Sequence, residues 1–99
     1  MSEPARALFA GPGFVLSKAS DAFLDTFPAR LGMPAPEIGF GPAWDDLCKT
    51  LTRVRRCGDA VSRVLFLDGP GRVWAVPVRD DGVAIEWRPF VPGRPAVGG

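Results

Sequence analysis

Residues Gly41 to Gly58 constrain this chain more than any other stretch, because every local signal in them specifies the same helix. Pro42 stands at the first helical position, where a missing N–H costs nothing. Asp45 and Asp46 follow at the positive end of the helix dipole, and Arg53, Arg55 and Arg56 fill the last turn at its negative end. Gly58 is placed to end the helix in a left-handed cap. Trp44, Leu47, Cys48, Leu51 and Val54 recur at helical spacing as one apolar stripe. A fold built on this element must bury that stripe. It leaves Asp45, Lys49, Thr52 and Arg53 on the other side, for water or for a partner.

The flanking segments are less sharply written. Met1 to Gly13 is punctuated by Pro and Gly and is expected to be a loose arm, docked at most through Leu8 and Phe9. Phe14 to Leu16 is a candidate edge strand. Ser20 is a good N-cap with Asp21 behind it, and Phe23, Leu24, Phe27 and Leu31 then share a helical face. Pro28 should kink or break that helix. Met33 to Gly41 holds two prolines and two glycines and is expected to be a structured loop.

The second half alternates as strands do. Val61 to Leu67 is apolar on both faces, which predicts a central strand covered on each side. Asp68-Gly69-Pro70-Gly71 fits a type II turn with Pro70 and Gly71 at its centre. Val73 to Val78 is the next strand, although Pro77 has no N–H for a ladder and belongs at a bulge or an end. Asp80-Asp81-Gly82 makes a second turn, with Gly82 suited to a left-handed position. Val83, Ile85 and Trp87 then alternate towards a core, and Val91 to Gly99 is expected to be disordered. The expected fold class is α+β. It has a short N-terminal strand and two helices on one face of a mainly antiparallel sheet of three to four strands, in the order β-α-α-β-β-β. The whole is a single domain spanning 1–99, with 1–12 as the arm.

Charge and residue types narrow the function. At 99 residues with a net charge of +1, the chain has one modest core and no field that would steer nucleic acid or an anionic membrane to its whole surface. No apolar run approaches a membrane span, and the start Met-Ser-Glu-Pro lacks a signal peptide's pattern, so a soluble, cytoplasmic protein is expected. The chain has no His, Tyr, Asn or Gln. Without His, the commonest general base and metal ligand is missing and a Ser-His-Asp triad is excluded. Cys48 and Cys57 lie too far apart on one helix (about 13 Å) to pair. Cys48 is expected to be a buried, inert thiol.

The remaining constellations have ordinary explanations beside functional ones. Asp45 and Asp46 diverge on a helix and suit the dipole, and Asp80 and Asp81 suit a turn. Gly11-Pro12-Gly13 and Gly69-Pro70-Gly71 lack a phosphate loop's lysine and flanking elements. Arg53, Arg55 and Arg56, with Arg63 nearby, form the one basic cluster, best explained by helix capping, with a protein or nucleic acid as alternatives. Trp44 and Trp87 fall on core faces. Trp74 shares a strand face with Arg72, Val76 and Val78, which is either a second side of the core, the favoured assignment, or an exposed patch suited to anchor an interface.

Gly13 to Val54 resembles the barstar family of small ribonuclease inhibitors. The matching features are a short strand (Phe14-Val15-Leu16), a helix ending Leu31-Gly32-Met33-Pro34, and, after a loop, Phe40-Gly41-Pro42-Ala43-Trp44-Asp45-Asp46-Leu47. Family members plug a nuclease active site with that loop and helix. The resemblance implies that Phe40, Asp45 and Thr52 face a target. Ala43 replaces the family's usual Asn, and Lys49 stands where its decisive acid would be, so the target is a changed one.

Together these features point to a small non-enzymatic module that binds another protein, such as an inhibitor or immunity protein. It would occlude a functional site through Phe40, Asp45, Lys49, Thr52 and Arg53, with no cofactor and no metal. The alternative is a structural subunit of a phage particle or secretion system, making self-contacts through a sheet edge or the 72–78 face. Nucleic acid is the least favoured partner, and no membrane partner is expected.

Overall fold

A computed structural model describes residues 4–67, 69–79 and 82–90. Its core is one antiparallel sheet of five strands with two helices over one face. The strands are β1 (Ala5–Ala10), β2 (Val15–Ala19), β3 (Val61–Phe66), β4 (Pro70–Val78) and β5 (Gly82–Pro89), and the helices are α1 (Asp21–Thr26) and α2 (Ala43–Cys57). The sheet runs β2-β1-β5-β4-β3, so β3, β4 and β5 form the expected meander and β1 closes against β5. The α+β class is as expected. The strand count and order are not, because the chain opens with a hairpin, giving β-β-α-α-β-β-β.

The hairpin is the main correction. The loose arm contains β1, which sits in the middle of the sheet between β2 and β5. Ala5, Ala7 and Phe9 are buried on the helix side while Arg6 and Leu8 face the other way. The register with β2 shifts between Leu8 and Phe9, which turns Leu16 inward opposite Phe9. The expected disordered tail, Val91 to Gly99, lies outside the described residues.

α2 forms as its sequence dictates. It ends at Gly58, whose φ of 73° is left-handed and whose N–H donates to the Val54 carbonyl at 2.8 Å. Leu47, Leu51 and Val54 are fully buried against the sheet, and Cys48 is half-buried. Pro42 is the residue before the first turn rather than within it. The Ser20 hydroxyl caps α1 by accepting from the Phe23 N–H at 3.3 Å, and it also accepts the Arg6 N–H at 2.9 Å, tying helix to hairpin. α1 stops at Thr26, so of the expected kink or break at Pro28 it is the break that occurs, and the helical face does not continue to Leu31, which is exposed.

Three further expectations change. β3 is an edge strand, not a central one, and Val64 and Phe66 are exposed at 48% and 68%. The left-handed glycine between β3 and β4 is Gly69 (φ 76°), whereas Gly71 lies buried inside β4 under Trp87. Gly82 begins β5 without a positive φ. Pro77 is accommodated because the β3–β4 ladder ends at Val61 and Ala75, leaving the proline paired only with Val83 of β5.

Candidate functional site

Pleating gives the sheet two different faces. On one, Phe9, Val73, Ala75, Val83, Ile85 and Trp87 are sealed beneath the helices. The other has no described element over it. The registers order its side chains into rows. Ser62, Trp74, Glu86 and Arg6 form one row across four strands. Val64, Arg72 and Arg88 lie on one side of it, and Val76, Ala84, Leu8 and Lys18 on the other. Phe66, Pro70 and Phe90 close the far end, where the Phe90 N–H donates to the Pro70 carbonyl at 2.9 Å. A groove of about 760 Å³ runs over Leu8, Val76 and Ala84 with Arg6, Lys18 and Trp74 at its margin.

The electrostatics of this face are cationic with one embedded carboxylate. Glu86 accepts from Arg88 Nε at 2.6 Å and from Arg6 Nε at 3.2 Å. The Arg88 hydrogen bond, with Arg6 second among the attractive partners, holds its carboxyl below the usual glutamate range against the opposing effect of burial. Trp74, 40% exposed, is flanked by the guanidiniums of Arg72 and Arg88, each 5.8 Å from its ring centroid. The favoured assignment of Trp74 to a core is therefore overturned; the face it occupies has no second layer.

The helix-based site is only partly assembled. Asp45, Lys49, Thr52 and Arg53 share the outer side of α2 around a shallow depression completed by Cys48 and Arg56. Phe40 is not among them. It is 3% exposed, with its ring centroid 5.2 Å from that of Phe27 and 6.4 Å from that of Trp44. The left-handed glycines on either side, Gly39 (φ 88°) and Gly41 (φ 62°), deliver it into the core, so it faces no partner. The basic cluster also divides. Arg55 donates to the Gly11 carbonyl at 3.0 Å and lies 4.2 Å above the Phe14 ring, strapping α2 to the hairpin. Arg63 points to the helix side, its guanidinium 3.4 Å from the Thr50 hydroxyl.

Sequence reasoning missed the β3 edge, whose signal was present in Val64 and Phe66 without a hint of which edge they would occupy. No group of His, Cys, Asp and Glu among the described residues is placed to hold a metal ion. No described helix is long and apolar enough to cross a membrane. Comparison with protein-family models, with curated proteins and with solved structures gives no match.

Proposed function

We propose that the protein is a small binding module, without chemistry of its own, that works by covering a functional site on another protein. The observation that carries this reading is the run of large apolar side chains left exposed on one sheet face: Val64, Phe66, Trp74, Val76, Val78 and Phe90. Burying these side chains on folding alone would need a second layer, and large apolar groups left exposed on a sheet face with no layer over it, set among Arg72 and Arg88, suit a contact site. The surface that supports the reading is thus the open sheet face and its β3 edge. Of the α2 residues, Lys49 and Arg53 also reach the depression beside the β3 edge, whereas Asp45 and Thr52 lie on the outer side of the helix, across the sheet from the open face. The role resembles that of the barstar family, but the contact surface differs, since Phe40 is core.

A photo-crosslinking residue placed at Val76 or Phe66 in the native host tests it. A single protein adduct from these positions, lost when Trp74→Glu is added, supports the reading, together with loss of that protein's activity in the complex. Absence of any adduct from both positions refutes it. The second reading, an assembly subunit, is favoured by the same uncovered edge strand. It predicts association of the purified chain that rises with concentration in sedimentation, whereas the binding-module reading predicts a monomer.

A further inference from the structure

The two edges of the sheet are treated differently. On β2 the outer side is occupied. Leu16 donates to the Met33 carbonyl at 2.9 Å, Gly32 donates to the Leu16 carbonyl at 2.7 Å, and Ala35 donates to the Phe14 carbonyl at 2.9 Å. A single bridge between Val15 and Pro34 completes this cover. On β3 no described segment pairs along the outer side. The strand is six residues long, its ladder to β4 is unbroken from Val61 to Phe66, and it contains no proline. Bulges, prolines and covering loops blunt an edge, and β3 has none of these three; the one such device it carries is the charged side chain of Arg63.

What β3 does carry is a division of side chains by face. On the open face the edge presents Ser62, Val64 and Phe66, the last two apolar and exposed. On the helix face a depression beside the same edge is lined by Lys49, Arg53 and Arg63, with Thr50, Ala60 and Val61 between them and no carboxylate in the lining. Asp59, one residue before that lining, is the acid nearest to it in sequence. A strand laid along β3 alternates its own side chains between these two environments. One set meets Val64 and Phe66, and the other meets three cations.

We infer that β3 is the site at which a partner protein adds an extended segment to the sheet, and that this segment alternates apolar and acidic side chains over about six residues. The inference rests on reading the chain as a protein-binding module and names the chemistry of what it binds. Backbone hydrogen bonds supply attachment, and the alternation supplies register, because a shift by one residue would put carboxylates against Phe66 and apolar groups against Arg63. A second copy of this chain is a poor occupant. Its own β3 would bring another Lys49, Arg53 and Arg63 to the same line, and like charges across an interface are repelled. An unpaired nucleic acid strand is disfavoured too. Its sugar-phosphate backbone carries no alternating amide N–H and carbonyl with which to continue the β3 ladder.

The test uses the full chain and a fluorescent peptide of sequence Val-Glu-Val-Asp-Val-Glu. Its controls are a block isomer with the three valines together, a Lys-substituted version, and a version N-methylated at alternate residues on either edge. Polarisation should show saturable binding of the alternating peptide, at least tenfold weaker for each control. Binding should also be at least tenfold weaker for the Arg63→Glu and Arg53→Glu variants, whose folding is checked by circular dichroism. Equal affinity for the block isomer or the N-methylated peptide overturns strand addition. No binding at millimolar peptide, preferential binding of oligothymidylate, or dimerisation through β3 overturns it as well. Loss of the peptide interaction alongside intact crosslinked adducts from Val76 removes this inference and leaves the protein-binding reading standing. Absence of the adducts removes that reading instead.

Discussion

A methyl group at position 71 should damage this fold through one side chain. Gly71 is buried in β4, directly across from Pro89 and beside Trp87, which is 1% exposed. A Cβ built there meets Cη2 and Cζ3 of the Trp87 ring in severe overlap and lies 2.7 Å from the Arg88 carbonyl oxygen. The indole N–H of Trp87 has no hydrogen-bond partner, so packing alone fixes the ring. Overfilling a packed core costs roughly 1–3 kcal/mol, and replacing glycine in a strand returns roughly 0.5–1 kcal/mol of backbone entropy. The net expectation for Gly71→Ala is a loss of about 1–2 kcal/mol. With a urea slope of roughly 1–2 kcal/mol/M for a small domain, the midpoint falls by about 1 M. Trp87→Phe removes both overlapping ring atoms and leaves only the approach to the Arg88 carbonyl. In that background the added loss from Gly71→Ala should fall below about 1 kcal/mol, a coupling that a double-mutant cycle reads directly. Gly71→Ala as stable as the parent, or an equal loss in both backgrounds, would refute the reasoning.

Other consequences follow from the same contacts. Glu86 titrates below its ordinary value of 4.5 because Arg88 and Arg6 hold its charged form. A depressed carboxyl contributes stability above its unfolded pKa and loses it as pH falls through the folded one. Urea midpoints should therefore drop on acidification below that ordinary value of 4.5, and Glu86→Gln should show a shallower drop. Phe40→Ala, at a position the resemblance assigned to a target, should lower the unfolding free energy by about 3–5 kcal/mol as a core truncation does. Chemical denaturation measures this without any partner present.

The sequence was most legible where its signals were local. α2 was specified by dipole charges, a glycine stop and one apolar stripe, all within 18 residues counted from Gly41 to Gly58. β1 was not, since Ala5 and Ala7 have little strand preference and the partner that makes them strand, β5, lies almost the whole chain away. The apolar run around Val64 to Leu67 has a central strand's composition. Only the pairing of β5 with β1 puts β3 at an edge. Trp74 shows the same limit: alternation fixes that it shares a face with Arg72 and Val76, but the face is open because both helices lie on the other side. The glycines flanking Phe40 signal a special backbone locally, but its burial follows from tertiary packing against Phe27 and Trp44 that no local signal carries.

Amide hydrogen exchange on the isolated full chain addresses the uncovered β3 edge, on which the functional account stands. Along Val61–Phe66 the amides directed outward from the sheet should exchange quickly and those bonded to β4 slowly, an alternation absent from the doubly paired stretch of β4 between Gly71 and Ala75. Uniformly slow exchange along β3 would mean that something already covers the edge, and the account would fail.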